Sequence, residues 1–223
     1  MELIEAIEKR MSVRAYRPEP VPRQVLEQVL TLASRAPSSV NCQPWEFAVI
    51  GGAVLDKIRQ ANIEKMRAGE KPRPDYDAGP TPRQTAYHRR QVDLAKQIFT
   101  LMDISREDKA KRQAWIERGF RFFDAPAVII VMMDRMLPVS GPLLDLGSVM
   151  QTICLAALEY GLGTCIEDQG IQYTDAIREF AGIPESKRMI IAIAIGYPDW
   201  DFPANRLRSE REPIIETTRW YGF

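Results

Sequence analysis

The sequence predicts a layered core in which helices enclose a few buried strands, of the α+β or α/β type. Three observations carry this. Apolar residues recur at helical spacing along much of the chain, as in Leu3, Ile4, Ile7 and Met11. Pro126 to Met133 and Met189 to Ile195 are short, nearly unbroken apolar runs, the pattern of strands covered on both faces. Leu143 to Tyr160 is a long helical stretch, apolar around most of its circumference and therefore unsuited to a wet surface.

The elements follow in order. After the first helix, Val25, Leu26, Val29, Leu30 and Ala33 mark a second, begun by Pro22, a good first-turn residue. Trp45 to Ile50 reads as a strand closed by Gly51-Gly52, and Val54 to Met66 as a helix. Four prolines between Gly69 and Pro82 predict a long loop rather than packed structure. Two helices follow, about Gln84 to Met102 and Arg106 to Phe122. Ser105 is the expected N-cap of the second, with Asp108 in the capping-box position. Gly161-Leu-Gly163 ends the long apolar helix. Gly163 to Glu167 is a short strand, and a helix lies near Thr174 to Ala181. The tail from Asp201 is polar and basic, then ends in Trp220-Tyr221-Gly222-Phe223, which either packs on its own core or clasps a partner.

A chain of 223 residues suits one domain, 1–223, with no repeat at a period of roughly 20–50 residues. Thirty Lys and Arg balance thirty Asp and Glu. This balance gives no reason to expect nucleic acid or an anionic membrane surface as a partner. Acids interrupt the N-terminus where a signal peptide would be apolar, and the longest apolar run, Met189 to Gly196, falls far short of the roughly 20 residues that span a bilayer. Cys42, Cys154 and Cys165 form no Cys-x-x-Cys pair. The expectation is a soluble, cytoplasmic protein without disulfides or a metal centre.

Chemistry concentrates in two segments. Ser38, Ser39, Asn41 and Gln43 crowd short hydrogen-bonding groups into one loop, suited to a heteroatom-rich ligand, although such residues also make ordinary turns. Arg10, Ser12 and Arg14 alternate, so an extended backbone projects them to one side as two guanidinium forks flanking a hydroxyl. That arrangement suits a phosphate, or else a solvated basic turn. No dinucleotide fingerprint is present, because Gly161-Leu-Gly163 precedes a strand instead of following one into a helix. His88 reads as an exposed helix residue, and the Glu167–Asp168 pair as solvated. A phosphate clasp and a polar loop, without an acid–base, nucleophile or metal constellation, suit a protein whose bound cofactor does the chemistry.

Together these residues resemble the nitroreductase family of FMN-dependent oxidoreductases. Arg10-Met-Ser-Val-Arg14 resembles its Arg-x-Ser-x-Arg opening, and Ala36-Pro-Ser-Ser-Val-Asn-Cys-Gln-Pro-Trp45 its Ala-Pro-Ser-x-x-Asn-x-Gln-Pro-Trp. Phe123-Asp-Ala-Pro126, Gly161-Leu-Gly-Thr-Cys165 and Ile195-Gly-Tyr-Pro198 follow in the same order. The region Asp168-Gln-Gly-Ile171 and an insert from about 68 to 118 look like the nitrobenzoate-reductase branch. Met11 stands where many relatives carry a basic residue, and Ile166-Glu167 where many have tryptophan.

The resemblance implies an α+β, nitroreductase-like fold with a central, mostly antiparallel sheet, and an interlocked homodimer clasped by the tail, about 201–223. It implies FMN at the subunit interface. Arg10, Ser12, Arg14 and Arg211 would hold the phosphate, with Arg208 a weaker candidate. Asn41 would bond the ring or ribityl chain, and Pro37, Ser38 and Ser39 would reach the cofactor bound mainly by the other subunit. Gln169 and Gly170 would lie near flavin N5 and offer a backbone N–H; no side chain is assigned as catalytic. NADPH or NADH would be the transient electron donor, and a nitroaromatic or quinone the acceptor, in a ping-pong reaction. The alternatives are a same-fold enone reductase, reductive dehalogenase or flavin-fragmenting enzyme, or a non-catalytic flavin carrier or sensor. Arg73, Arg83, Arg89 and Arg90 of the insert read as a solvated face, with attraction of an acidic aromatic as the other reading.

Overall fold

The structure, a computed structural model, describes residues 1–223. The chain runs α1 (Leu3–Lys9), α2 (Arg23–Ala33), β1 (Glu46–Gly51), α3 (Gly52–Arg67), α4 (Ala86–Leu101), α5 (Lys109–Phe120), β2 (Ala127–Asp134), α6 (Pro142–Glu159), β3 (Gly163–Glu167), α7 (Thr174–Ala181), β4 (Lys187–Gly196) and a single turn α8 (Ile214–Thr217). The four strands form one sheet in the order β1-β2-β4-β3, every pair antiparallel.

Strand alternation divides the apolar runs between two cores. In β2, Ile129, Val131 and Met133 face α2 and α6, while Val128, Ile130 and Met132 face α3 and α7. In β4, Ile193 and Ile195 join the first core, and Met189, Ala192 and Ala194 the second. A central strand covered on both sides has no polar face, which is why these two segments read as unbroken apolar runs. Each fully buried isoleucine contributes roughly 1.5–3 kcal/mol. α6 is long and apolar enough to cross a membrane by length and composition, but its Leu146, Val149, Ile153, Cys154 and Ala157 are buried in the first core. Gly161 at φ +69° ends it, as expected.

The sheet's two edges differ. Beyond β3, Ser12 bridges Thr164 in parallel and the Val13 N–H donates to the Thr164 carbonyl at 2.9 Å, so the segment after α1 covers that edge. The outer edge of β1 has no strand beside it.

Two expectations need correction. The segment 69–82 is a loop, but a packed one. The Arg73 N–H donates to the Gln172 carbonyl at 2.8 Å, Tyr76 packs on the first core, and the Asp75 carboxylate receives Arg135, Arg178 and the Met189 N–H. Its prolines exclude helix without excluding tertiary anchoring. The helix after 105 also starts late. Asp108, not Ser105, is the N-cap, accepting from the Lys111 N–H at 2.8 Å, while the Ser105 hydroxyl accepts from the Asp108 N–H at 3.1 Å. The carboxylate outcompetes the hydroxyl for the orphan amides of the first turn.

Several apolar side chains stay uncovered. Leu3, Ile4 and Ile7 of α1 are exposed, as are Ile214, Ile215, Trp220, Tyr221 and Phe223 of the tail. The aromatic tail therefore does not pack on its own core.

Candidate functional site

Arg10 and Arg208, nearly two hundred residues apart in sequence, line one cavity of about 500 Å³ with Val13, Leu158, Gly163 and Trp200. Gly163 leaves room for the close approach of its neighbours: a Cβ there would lie 2.5 Å from Val13 and 2.8 Å from Pro198. Arg10 has no carboxylate partner. Arg14 donates to the Ser12 carbonyl at 3.3 Å, and Arg208 to the Asn205 and Leu207 carbonyls, so neither is neutralised. Arg211 lies outside this cavity and donates to Ser209 and the Glu210 carbonyl of its own turn. Ser12 and Arg14 stand on the same segment as Arg10 but do not line the cavity; the two guanidinium groups that do, Arg10 and Arg208, are the chemistry an anion requires.

The turn after β3 forms the other end of the candidate site. Gln169–Ile171 is one tight turn, and Gly170 is buried in it. The Gly170 N–H donates to Glu167 Oε2 at 2.9 Å, and its carbonyl accepts from Asn62 Nδ2 at 2.8 Å. The Gly170 N–H expected to face flavin N5 is thus held by Glu167. The Gln169 side chain lies against Gly119 of α5, whose absent Cβ makes the space. Strand rise sets the separation of the two ends: the five steps from Gly163 to Asp168 span about 17 Å. Because Ser12 pairs with Thr164 in parallel, the segment 10–14 runs along β3 in the same direction, from the arginine cavity toward the turn. An extended ligand with an anionic end and a polar ring fits this layout.

Glu167 is a residue that sequence reasoning misread. It is 8 % exposed rather than solvated, and Oε1 has no partner. Burial, with the charge of Asp168 adding, pushes its carboxyl up to about 8. One signal was available: Glu167 lies two residues beyond buried Cys165, on the same face of β3. Asn62, fully buried in α3, carried no such signal. His88 is half-buried rather than exposed, with Nδ1 shielded and unpartnered.

The polar loop is exposed and strained. Val40, Asn41 and Gln43 have φ of 45°, 60° and 49°, left-handed values that cost of order 1–3 kcal/mol each and cluster at functional sites. Ser38 Oγ accepts from the Gln43 N–H at 2.9 Å, and the Ser39 N–H donates to Asp145 near the start of α6 at 3.0 Å. The arginine cavity adjoins Leu158, near the other end of α6. Asp145 and Leu158 are thirteen helical steps apart, about 20 Å. Within one chain, Asn41 therefore lies apart from the arginines with which the resemblance groups it, as do Pro37, Ser38 and Ser39.

Fold and site together define a three-layer α+β protein with unneutralised arginines at one end of β3 and a buried polar turn at the other. The nitroreductase family model matches residues 7–197, and the chain belongs to the nitroreductase family. It is 32% identical over 213 residues to nitrobenzene nitroreductase of Ectopseudomonas oleovorans, covering 95% of this chain and 93% of that one. It is 32% identical over 220 residues to 4-nitrobenzoate reductase of Nocardioides sp. (strain LMS-CY), covering 96% and 88%. The solved structure of the FMN and NADPH-dependent nitroreductase NfnB from Sphigopyxis sp. strain HMH superposes with a TM-score of 0.94 at 28% identity, covering 100% of each chain.

Proposed function

We propose that this chain is an FMN-dependent oxidoreductase that uses NADPH or NADH to reduce nitroaromatic acceptors. The observation that carries the proposal is the convergence of Arg10 and Arg208, without carboxylate partners, on a cavity beside β3 in a chain of this family. Relatives named for nitrobenzene and 4-nitrobenzoate reduction support the acceptor class.

Arg10, Ser12, Arg14 and Arg208 would hold the phosphate, with Arg211 reaching it only if its turn rearranges. Bound FMN would supply a two-electron relay between hydride donor and acceptor. The turn at Gln169 and Gly170 would orient the ring and offer backbone donors to charge that develops there. Cutting Arg10 to alanine removes a charge-assisted bond of roughly 1.5–3 kcal/mol and should weaken FMN binding roughly 10- to 150-fold, read by flavin fluorescence titration. Because no separate dinucleotide fold is present, donor and acceptor would take turns at one face. Initial-rate plots against NADPH at several nitroarene concentrations should then be parallel, and converging lines would refute the shared face.

The second subunit completes the reading. Uncovered α1 and tail residues, the open edge of β1 and the remoteness of the polar loop from the arginines favour a homodimer. In it, the loop of one protomer would meet the arginine cavity of its partner. Pro37, Ser38, Ser39 and Asn41 belong to one tight turn, so they would act as a unit on that cofactor rather than being divided between two. The tail from 201 to 223 would cover the partner. Sedimentation at micromolar concentration should give a dimer; a monomer that retains FMN would overturn this arrangement.

A further inference from the structure

Glu167 ends β3 directly before the turn that bears Gln169 and Gly170. Its carboxyl is wedged behind that turn. Oε2 accepts the Gly170 N–H at 2.9 Å, and Oε1 is buried without a partner. On the far side of the same residue, buried Asn62 donates to the Gly170 carbonyl at 2.8 Å and to the Phe120 carbonyl at 3.0 Å. Gly170 is thereby clamped at both ends of its backbone.

The charged and titratable groups around Glu167 offer it no counter-ion. Asp168, on its own turn, carries the same sign of charge. The segment beside β3 contributes Arg14, which donates to the Ser12 carbonyl, and Tyr16, whose hydroxyl donates to the Val13 carbonyl at 2.8 Å. β3 itself contributes the buried thiol of Cys165, and β4 places Ala192 opposite Glu167. On α5, which packs on the turn, Glu117 is taken by Arg67, and Arg118 and Arg121 by Asp124. On α3, beyond Asn62, Lys65 binds Glu70 and Asp175. A buried carboxylate with no cation carries its full desolvation cost, so the neutral acid is the form that fits, with Oε1 as the hydroxyl.

We propose that Glu167 is a positioning residue that holds a proton: it braces the turn beside the cofactor and takes up a proton when that cofactor is reduced. The inference rests on the FMN reading above. Burial pushes its ionisation up to about 8 in the chain alone, and an oxidised flavin ring, being uncharged, adds no charge beside it. Below that pH, Glu167 is neutral in both redox states. Above it, Glu167 is ionised when the cofactor is oxidised. Hydride from the nicotinamide brings two electrons and one proton and leaves one negative charge on the cofactor. That charge disfavours the carboxylate nearby, so Glu167 takes a second proton from water. Proton uptake per two electrons therefore rises from one near pH 6 to two above about pH 8.

Glutamine keeps the shape and the acceptor for the Gly170 N–H but does not titrate in this range. The test is potentiometric titration of the FMN-loaded wild type and Glu167→Gln from about pH 6 to about pH 9.5, with infrared spectra of both proteins over the same range. Wild type should pass from one proton to two per two electrons, while Glu167→Gln stays at one. Wild type should also show a protonated-carboxyl band at neutral pH that fades above about 8 and is absent from the variant. One proton per two electrons throughout in wild type, or a step that survives in Glu167→Gln, overturns the proposal. If the variant does not hold FMN, the infrared comparison decides alone, and a missing wild-type band overturns it. A wild-type protein that takes up no FMN refutes the functional reading instead and leaves the infrared result for Glu167 standing.

Discussion

Replacing Asp75 with alanine is expected to destabilise the fold by about 3–5 kcal/mol, the cost of removing one partner from a buried ion pair. The Asp75 side chain is 7% exposed and receives three donors: the guanidinium groups of Arg135 and Arg178 and the Met189 N–H at 2.9 Å. Without it, Arg178, whose side chain is 10% exposed, keeps only the 183, 184 and 187 carbonyls and a long contact to Glu185. The Met189 N–H loses its acceptor inside the second core. The loop 69–82 also loses its main tie to β4 and α7. Asp75→Asn retains an acceptor and should cost less. Arg135→Ala should cost least, roughly 1 kcal/mol, because Arg135 is more than a third exposed. Urea midpoints of the three variants test the order; Asp75→Ala within 1 kcal/mol of wild type would contradict it.

Gly170→Ala is the second large effect, and its cause is space rather than backbone freedom. A Cβ at 170 would lie 2.2–2.6 Å from three atoms of the Phe122 ring. That ring is 1% exposed, and Phe122 and Phe123 are already held at φ of 56° and 53°. Arg59 locks the adjoining backbone through the Arg121 and Ala125 carbonyls. Since the ring has nowhere to go, the turn must move, straining its bonds to Glu167 and Asn62. Overpacking and loss of buried hydrogen bonds together should cost about 3–5 kcal/mol, with FMN retention falling in parallel. Gly119→Ala is the control. Its Cβ would meet only the end of the flexible Gln169 side chain, and alanine favours a helix over glycine by about 1 kcal/mol, so it should be nearly neutral. Equal melting temperatures for wild type and Gly170→Ala would remove the tight turn from the account.

Much of the architecture was legible because its signals are local. The unbroken apolar runs of β2 and β4, the helical spacing of α2 and the glycine after α6 each need only neighbouring residues to be read. The same holds for the strained polar loop, whose residue types mark a turn on sight. What escaped depends on partners far apart in sequence. Asp75 is anchored by residues 60 to 114 positions away, and no pattern within the proline-rich loop announces that. Glu167 reads as half of a solvated acidic pair until the packing of α3 and α5 is known. The separation of the polar loop from Arg10 emerges only once α6 is seen to lie between them. Conversely, the tail's need for cover is legible from composition alone, since four terminal residues rich in aromatics have little reason to remain in water, while the choice between its own core and a partner is not.

In the proposed function, the arginine cavity and the turn beyond β3 hold a flavin that cycles between hydride donor and nitroaromatic. An anaerobic titration of the purified protein tests it most directly. The protein should carry a flavin absorbance that NADPH or NADH bleaches and a nitroarene restores. Protein that binds no FMN, or bound FMN that neither nucleotide bleaches, would contradict it.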